Sequence, residues 1–167
     1  MTIRIKSTVI AMAATLMAAT AANAALTGNV ALSGNVPQNC SIAVTATGNS
    51  GIDLSTTTAD LQVATVAEDC NKKAGYAISV TTTNGVAASA STGLFNGDTG
   101  GNTDTVAYSV KYDSSALTFT NGADASARTA SDKVNGQVSP VTISFTGAPT
   151  AAADTYADTL NFTMTVN

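Results

Sequence analysis

Residues 155–166 read T-Y-A-D-T-L-N-F-T-M-T-V, with Tyr156, Leu160, Phe162, Met164 and Val166 at even positions and mostly small polar residues between them. Successive side chains of a strand point to opposite faces, so such a stretch presents one face to a core and the other to water. The same two-residue period recurs upstream. Residues 75–82 align Tyr76, Ile78 and Val80, residues 105–112 align Val106, Tyr108, Val110 and Tyr112, and residues 140–146 align Val141, Ile143 and Phe145. Shorter strand candidates lie at 40–47, 60–66, 95–96 and 117–120, and the stretches 96–102 and 121–136 read as surface loops. Ala151, Ala152 and Ala153 follow Pro149 and read as a turn-rich connection rather than a helix. No segment after the first two dozen residues keeps a helical period. The expectation is an all-β protein, an immunoglobulin-like antiparallel sandwich with one buried and one wet face per sheet.

Composition narrows the chemistry. The chain has 167 residues, no His, no Trp and two Cys, and much of its apolar fraction is alanine. Without His, the commonest general base and the imidazole metal ligand are missing, and two Cys do not complete a tetrahedral zinc site. The acidic residues sit in turns or alternate across strands; Glu68 and Asp69, being adjacent, face opposite ways. No Ser has a His partner for a triad, and D-T-G-G-N-T-D at 98–104 is not a calcium-loop pattern. No catalytic, cofactor-binding or metal-binding residue is assigned, and an enzyme is not expected. The acidic balance, 7 Lys and Arg against 11 Asp and Glu, argues against a nucleic-acid partner.

Residues 1–24 have the form of a secretory signal peptide. Arg4 and Lys6 give a positive start, 9–17 a short apolar stretch, and Ala22-Asn23-Ala24 a small-x-small cleavage site. Export makes the two cysteines informative, since an oxidising compartment favours a Cys40–Cys70 disulfide. Closing a loop of that length contributes roughly 3–4 kcal/mol in the chain-entropy account.

The segment that follows the leader is A-L-T-G-N-V-A-L-S-G-N-V-P, residues 25–37. Leu26, Gly28, Val30, Leu32, Gly34 and Val36 share one face of an extended chain, about 36 Å long from end to end. Two readings stand side by side. Either this is the first strand of the sandwich with glycines at bulges, or it is a strand that leaves the domain and adds to the open sheet edge of a neighbour.

Taken together, these stretches resemble the pilins of the chaperone–usher pathway. G-N-V-A-L-S-G-N-V-P-Q-N-C-S-I (28–42) is similar to their N-terminal extension running into the first disulfide cysteine, and A-E-D-C-N (67–71) to the surroundings of the second. T-D-T-V-A-Y-S-V-K-Y-D (103–113) and D-T-Y-A-D-T-L-N-F-T-M-T-V (154–166) look more like the archaic, spore-coat-U-like branch. The ending Met164-Thr165-Val166-Asn167 lacks the aromatic penultimate residue of type-1-like pilins, which also fits that branch.

The resemblance implies a sandwich lacking its last strand and completed by donor-strand exchange. It divides the chain into a signal peptide (1–24), a donor-strand extension (25–37) and an incomplete pilin domain (38–167). The donor face is Leu26, Gly28, Val30, Leu32, Gly34 and Val36; the acceptor edge is Leu160, Phe162, Met164 and Val166. The implied partners are identical subunits in a homopolymer, a periplasmic chaperone and an outer-membrane usher, with a tip adhesin as a further candidate. The implied location is a pilus at the cell surface, serving adhesion or biofilm formation. The alternative is a secreted sandwich that keeps residues 26–36 as its own strand and acts as a coat or ligand-binding module. Replacing Cys40 by Ser is expected to lower stability by roughly 3 kcal/mol, read as a reduced urea midpoint; an unchanged midpoint would remove the structural role of the bond.

Overall fold

Alternating apolar residues do not pair until a register is chosen, and here the choice yields two sheets. The computed structural model describes residues 28–121 and 125–167; the leader and Leu26 lie outside the described residues. Its elements in chain order are β1 (Cys40–Ala46), β2 (Thr58–Cys70), β3 (Tyr76–Thr82), α1 (Thr83–Ala88) and β4 (Gly93–Gly97), then β5 (Thr105–Tyr112), β6 (Ser115–Ala116), β7 (Ala125–Ala130), β8 (Val134–Phe145), β9 (Tyr156–Ala157) and β10 (Leu160–Val166). All pairings are antiparallel. One sheet has the order β1-β2-β8-β5-β4-β9, with β6 on β5; the other has the order β10-β3-β7.

Residues 36–167 share one core. Val66, Val110, Val141 and Ile143 of the larger sheet, with Tyr108, Tyr112 and Phe145, face Tyr76, Ile78 and Val80 of the smaller. The burial of β5 alternates strictly, with Val106, Tyr108, Val110 and Tyr112 buried, as the period requires. Cys40 and Cys70 are direct partners in the β1–β2 register and are joined by a disulfide, S–S 2.03 Å.

Several boundaries differ from the sequence expectation, for identifiable reasons. The stretch 155–166 is two strands rather than one. Asp158 and Thr159 break it, so that β9 adds to the larger sheet and β10 to the smaller. The stretch 121–136 is not one loop, because β7 and the start of β8 fall within it. β7 reads A-S-A-R-T-A, and Ala at its inward positions gives little apolar contrast. The Asn135-Gly136 pair suggests a turn but lies inside β8, where the register shifts against β2 and Gly136 takes φ +66°. That is a bulge, and glycine adopts its left-handed conformation without steric cost. Residues 117–120 form no strand beyond an isolated bridge, while α1 is a short helix where none was expected. β2 is longer than 60–66, reaching Cys70.

The two sheets are joined through one buried carboxylate. Glu68 on β2 is fully buried. Its Oε2 accepts from the Tyr76 hydroxyl at 2.5 Å, and its Oε1 accepts from Tyr112 at 2.5 Å and Ser139 at 2.8 Å. Arg128 Nε on β7 lies 3.3 Å from Oε2 without hydrogen-bond geometry, so it acts there chiefly as a charge. Arg128 Nη2 meanwhile donates to Asp113 and, at 3.2 Å, to Ser139. Burial first, and then the bond to Glu68, raises both the Tyr76 and Tyr112 hydroxyls above the usual phenol range, so both remain donors at any ordinary pH. Glu68→Gln removes the charge and converts one acceptor to a donor, leaving hydroxyls and a guanidinium without their partner. A loss of about 3 kcal/mol is expected, measured as a drop in urea midpoint at unchanged m-value.

Candidate functional site

Every strand of a sheet has two hydrogen-bonding edges, and a strand at the end of a sheet uses only one; β1 and β9 end the larger sheet, β10 and β7 the smaller, and two of these, β1 and β10, flank a cleft. β1 pairs with β2 alone and β10 with β3 alone. Their side chains show the same incompleteness. On β1 the inward positions are Cys40, Ile42, Val44 and Ala46; the first two are half-buried, but Val44 and Ala46 are exposed. On β10 the inward positions Leu160, Phe162, Met164 and Val166 rest on the core yet are all only half-buried.

Between these strands opens a cleft of about 280 Å³. Val44 and Ala46 line one side, Leu160 and Phe162 the other, and the buried Val63, Tyr108 and Ile143 lie beneath. Phe162 also lies against Tyr112, ring centroids 6.3 Å apart.

The floor of the cleft is held by polar ties. Tyr108 donates to Asp158 Oδ2 at 2.8 Å, and the same carboxylate accepts from the backbone N–H of Asn84 and Leu94. One side chain thus gathers the start of α1, the start of β4 and the floor tyrosine. Burial, and then the negative charge of Asp158, pushes the Tyr108 hydroxyl well above its ordinary value, so it stays a donor. Phe95 stacks on Tyr108 at 4.6 Å between centroids, and the ring leaves no room for a side chain at position 93. A Cβ on Gly93 would stand 2.1 Å from the ring, so glycine is required there by close approach rather than by φ.

A second cleft of about 590 Å³ adjoins the first, sharing Asn49, Ile52 and Phe95, and lies between the loops 49–55 and 148–156. Asp154 organises its rim. Its carboxylate accepts from Thr99 N at 2.9 Å, Thr99 Oγ1 at 2.6 Å and Asn102 Nδ2 at 2.7 Å. These bonds, the Thr99 hydroxyl foremost, hold the Asp154 carboxyl well below the usual range.

The residues singled out in the sequence fall into three groups. Cys40 and Cys70 are bonded. Leu160, Phe162, Met164 and Val166 share the inward face of β10, whose outer edge has no partner strand. Gly28, Val30, Leu32, Gly34 and Val36 carry no regular secondary structure; Val30, Leu32 and Val36 are 84%, 92% and 83% exposed. The opposite wall of the cleft, Val44 and Ala46, was not anticipated, although the alternation Ile42-Val44-Ala46 was visible in C-S-I-A-V-T-A. Tyr108 lies in the 105–112 alternation and Asp158 within the stretch 155–166, and no local pattern ties the two together. Among the described residues no cluster of His, Cys, Asp or Glu could hold a metal ion, and no helix is long and apolar enough to cross a membrane.

No family model matches the chain, and no curated protein matches it. Among solved structures it is similar to the minor tip subunit HdaB of the E. coli Hda pilus. That similarity has 13% identity and a TM-score of 0.37, and spans 74% of this chain and 79% of that one.

The Asp154 ties make the 98–104 loop acid-sensitive. A carboxyl whose folded pKa is depressed contributes stability above its unfolded value, about 3.9, and loses it as pH falls through the folded value. Amide exchange at Thr99, corrected for intrinsic rate, is expected to accelerate as pH is lowered below about 4. Asp154→Asn should show fast exchange already at neutral pH, and equal protection in both proteins would refute the role of the charge.

Proposed function

We propose that this chain is a structural subunit of a surface fibre. It polymerises by inserting its own N-terminal segment into the open groove of the next copy. One pairing of features supports this reading. The domain has an apolar cleft between two strands that are each unpaired on one edge, and the same chain carries an exposed, uncharged segment of alternating apolar residues. An incoming strand would supply N–H and C=O groups to the free edges and side chains to the cleft. Burying Val30, Leu32 and Val36 alone would contribute on the order of 5–9 kcal/mol.

In this reading Leu26, Gly28, Val30, Leu32, Gly34 and Val36 form the donor face. Leu160, Phe162, Met164 and Val166 form the acceptor edge, with Val44 and Ala46 as the facing wall. The glycines leave two gaps in the donor face where no side chain projects. Residues 25–37 are then the donor extension, and 38–167 the incomplete domain. The resemblance to chaperone–usher pilins extends the proposal. A periplasmic chaperone would occupy the groove before assembly, an outer-membrane usher would exchange it for the next donor, and the fibre would serve adhesion or biofilm formation without catalysis.

The test is electrophoresis of the exported protein in SDS, unheated and boiled, beside Gly28→Leu and Gly34→Leu. The wild-type chain is expected to run as a ladder that collapses to monomer on boiling, with the ladder lost in at least one glycine variant. A monomer band in both wild-type lanes would overturn the proposal in favour of a self-contained secreted sandwich. An intact ladder in both variants would overturn the assignment of the donor face.

A further inference from the structure

The charges of the domain are spread unevenly between its two ends: one carries carboxylates alone, the other mainly lysines, with Asp69 and Asp132 among them. One end is defined by Cys40, Cys70, Val134 and the Tyr76–Val166 pair, which lie at matching register. It carries the turns 71–75 and 131–133, bound to each other by the Lys73–Asp132 ion pair at 2.8 Å. Three of the five basic residues among the described positions, Lys72, Lys73 and Lys133, stand there.

The other end carries the loops 47–57, 98–104 and 146–159. The register places them together, since Thr58 pairs with Phe145, Phe145 with Tyr108, and Gly97 with Tyr156. Hydrogen bonds also join them, Ala148 N to Leu54 O and Ala152 N to Asp104. These loops hold Asp53, Asp98, Asp104, Asp154 and Asp158, and they contain no Lys or Arg.

Two further observations give this uneven spread a direction. The N-terminal segment joins the domain at the lysine end: Asn39 N donates to Asn71 Oδ1, and Asn71 Nδ2 donates to the Pro37 carbonyl. Only four residue steps separate Val36 from Cys40, about 13 Å of extended chain. A donor seated up to Val36 therefore holds its own Lys72–Lys73 turn close to whichever end of the receiving groove Val36 reaches. β10 begins with Leu160 beside the acidic loops and ends at the lysine turn, where Asn167 N donates to Gly75 O. A donor antiparallel to β10 brings lysines to aspartates. A parallel donor brings lysines to lysines.

We propose that the partner of the acidic loops is the lysine end of the next copy of this chain, and that this contact sets the direction in which the donor strand enters. The proposal rests on the strand-insertion reading above and adds a second, electrostatic contact to it. Opposite charges within about a Debye length, 8–10 Å at physiological salt, speed encounter and disfavour the reversed orientation.

The donor segment itself, residues 25–36, contains no charged side chain, which allows the two contacts to be separated. Uptake of a synthetic 25–36 peptide by the chain lacking those residues reports the groove alone. Assembly of the full-length mature chain reports groove and charge together. Between about 20 mM and 300 mM NaCl, full-chain assembly is expected to slow by about tenfold, with peptide uptake nearly unchanged. Lys72→Glu with Lys133→Glu should slow assembly by a similar factor at low salt and leave peptide uptake intact, which also certifies folding. Adding Asp98→Lys and Asp104→Lys to the same chain should recover most of the rate. Full-chain assembly indifferent to salt and to both charge reversals, with peptide uptake normal, would overturn the electrostatic contact while leaving strand insertion standing. Absence of peptide uptake by the wild-type domain would instead overturn the groove reading, and this proposal with it.

Discussion

A strand satisfied on one edge only leaves a row of backbone N–H and C=O groups facing outward, and β1 and β10 both do so on opposite sides of one cleft. In a sandwich with so few large apolar side chains, this shortage is felt across the core. Half-burial of Leu160, Phe162, Met164 and Val166 is its direct expression: they have the apolar surface of core residues and the surroundings of a rim. Unprotected edges ordinarily invite unspecific pairing. Here the free edges of β1 and β10 flank an apolar cleft lined by Val44, Ala46, Leu160 and Phe162.

A half-buried β10 face places more weight on other ties. At one end the Cys40–Cys70 bond joins β1 to β2, and Glu68 gathers hydroxyls from Tyr76, Tyr112 and Ser139 together with the charge of Arg128. At the other end Asp158 and Asp154 hold α1, β4 and the surface loops against the floor of the clefts. Buried polar networks of this kind constrain geometry more than they add net stability. The sheets are therefore held in place on either side of the groove by directional bonds rather than by bulk.

Much of the fold was legible because β-structure advertises itself when large apolar residues alternate with polar ones, as they do in β5 and β10. It was not legible where that contrast fails. Alanine at the inward positions hid β7, and Asn135-Gly136 imitated a turn while forming a bulge inside β8. Of the cleft, the β10 face was read from its own alternation. Its floor was not, because Tyr108, Ile143 and Val63 come together only through the pairing of β5, β8 and β2. The partnership of Tyr108 with Asp158 spans fifty residues and depends on a break in strand alignment that no local pattern marks.

The amino-acid order alone determined the class of structure, the cysteine pair and the existence of an uncharged, alternating segment ahead of the first cysteine. Each of these is a local property: period, count or composition. Tertiary structure alone decided that β9 and β10 belong to different sheets, that the edges of β1 and β10 stay unpaired, and that Glu68 is a buried tie while its neighbour Asp69 is not fully buried. It also gathered Asp53, Asp98, Asp104, Asp154 and Asp158 at one end, and Lys72, Lys73 and Lys133, with Asp69 and Asp132, at the other. The physical reason is common to all of them. Strand pairing, burial of charge and the gathering of loops are set by contacts between residues far apart in the chain, and those contacts exist only once a register has been chosen.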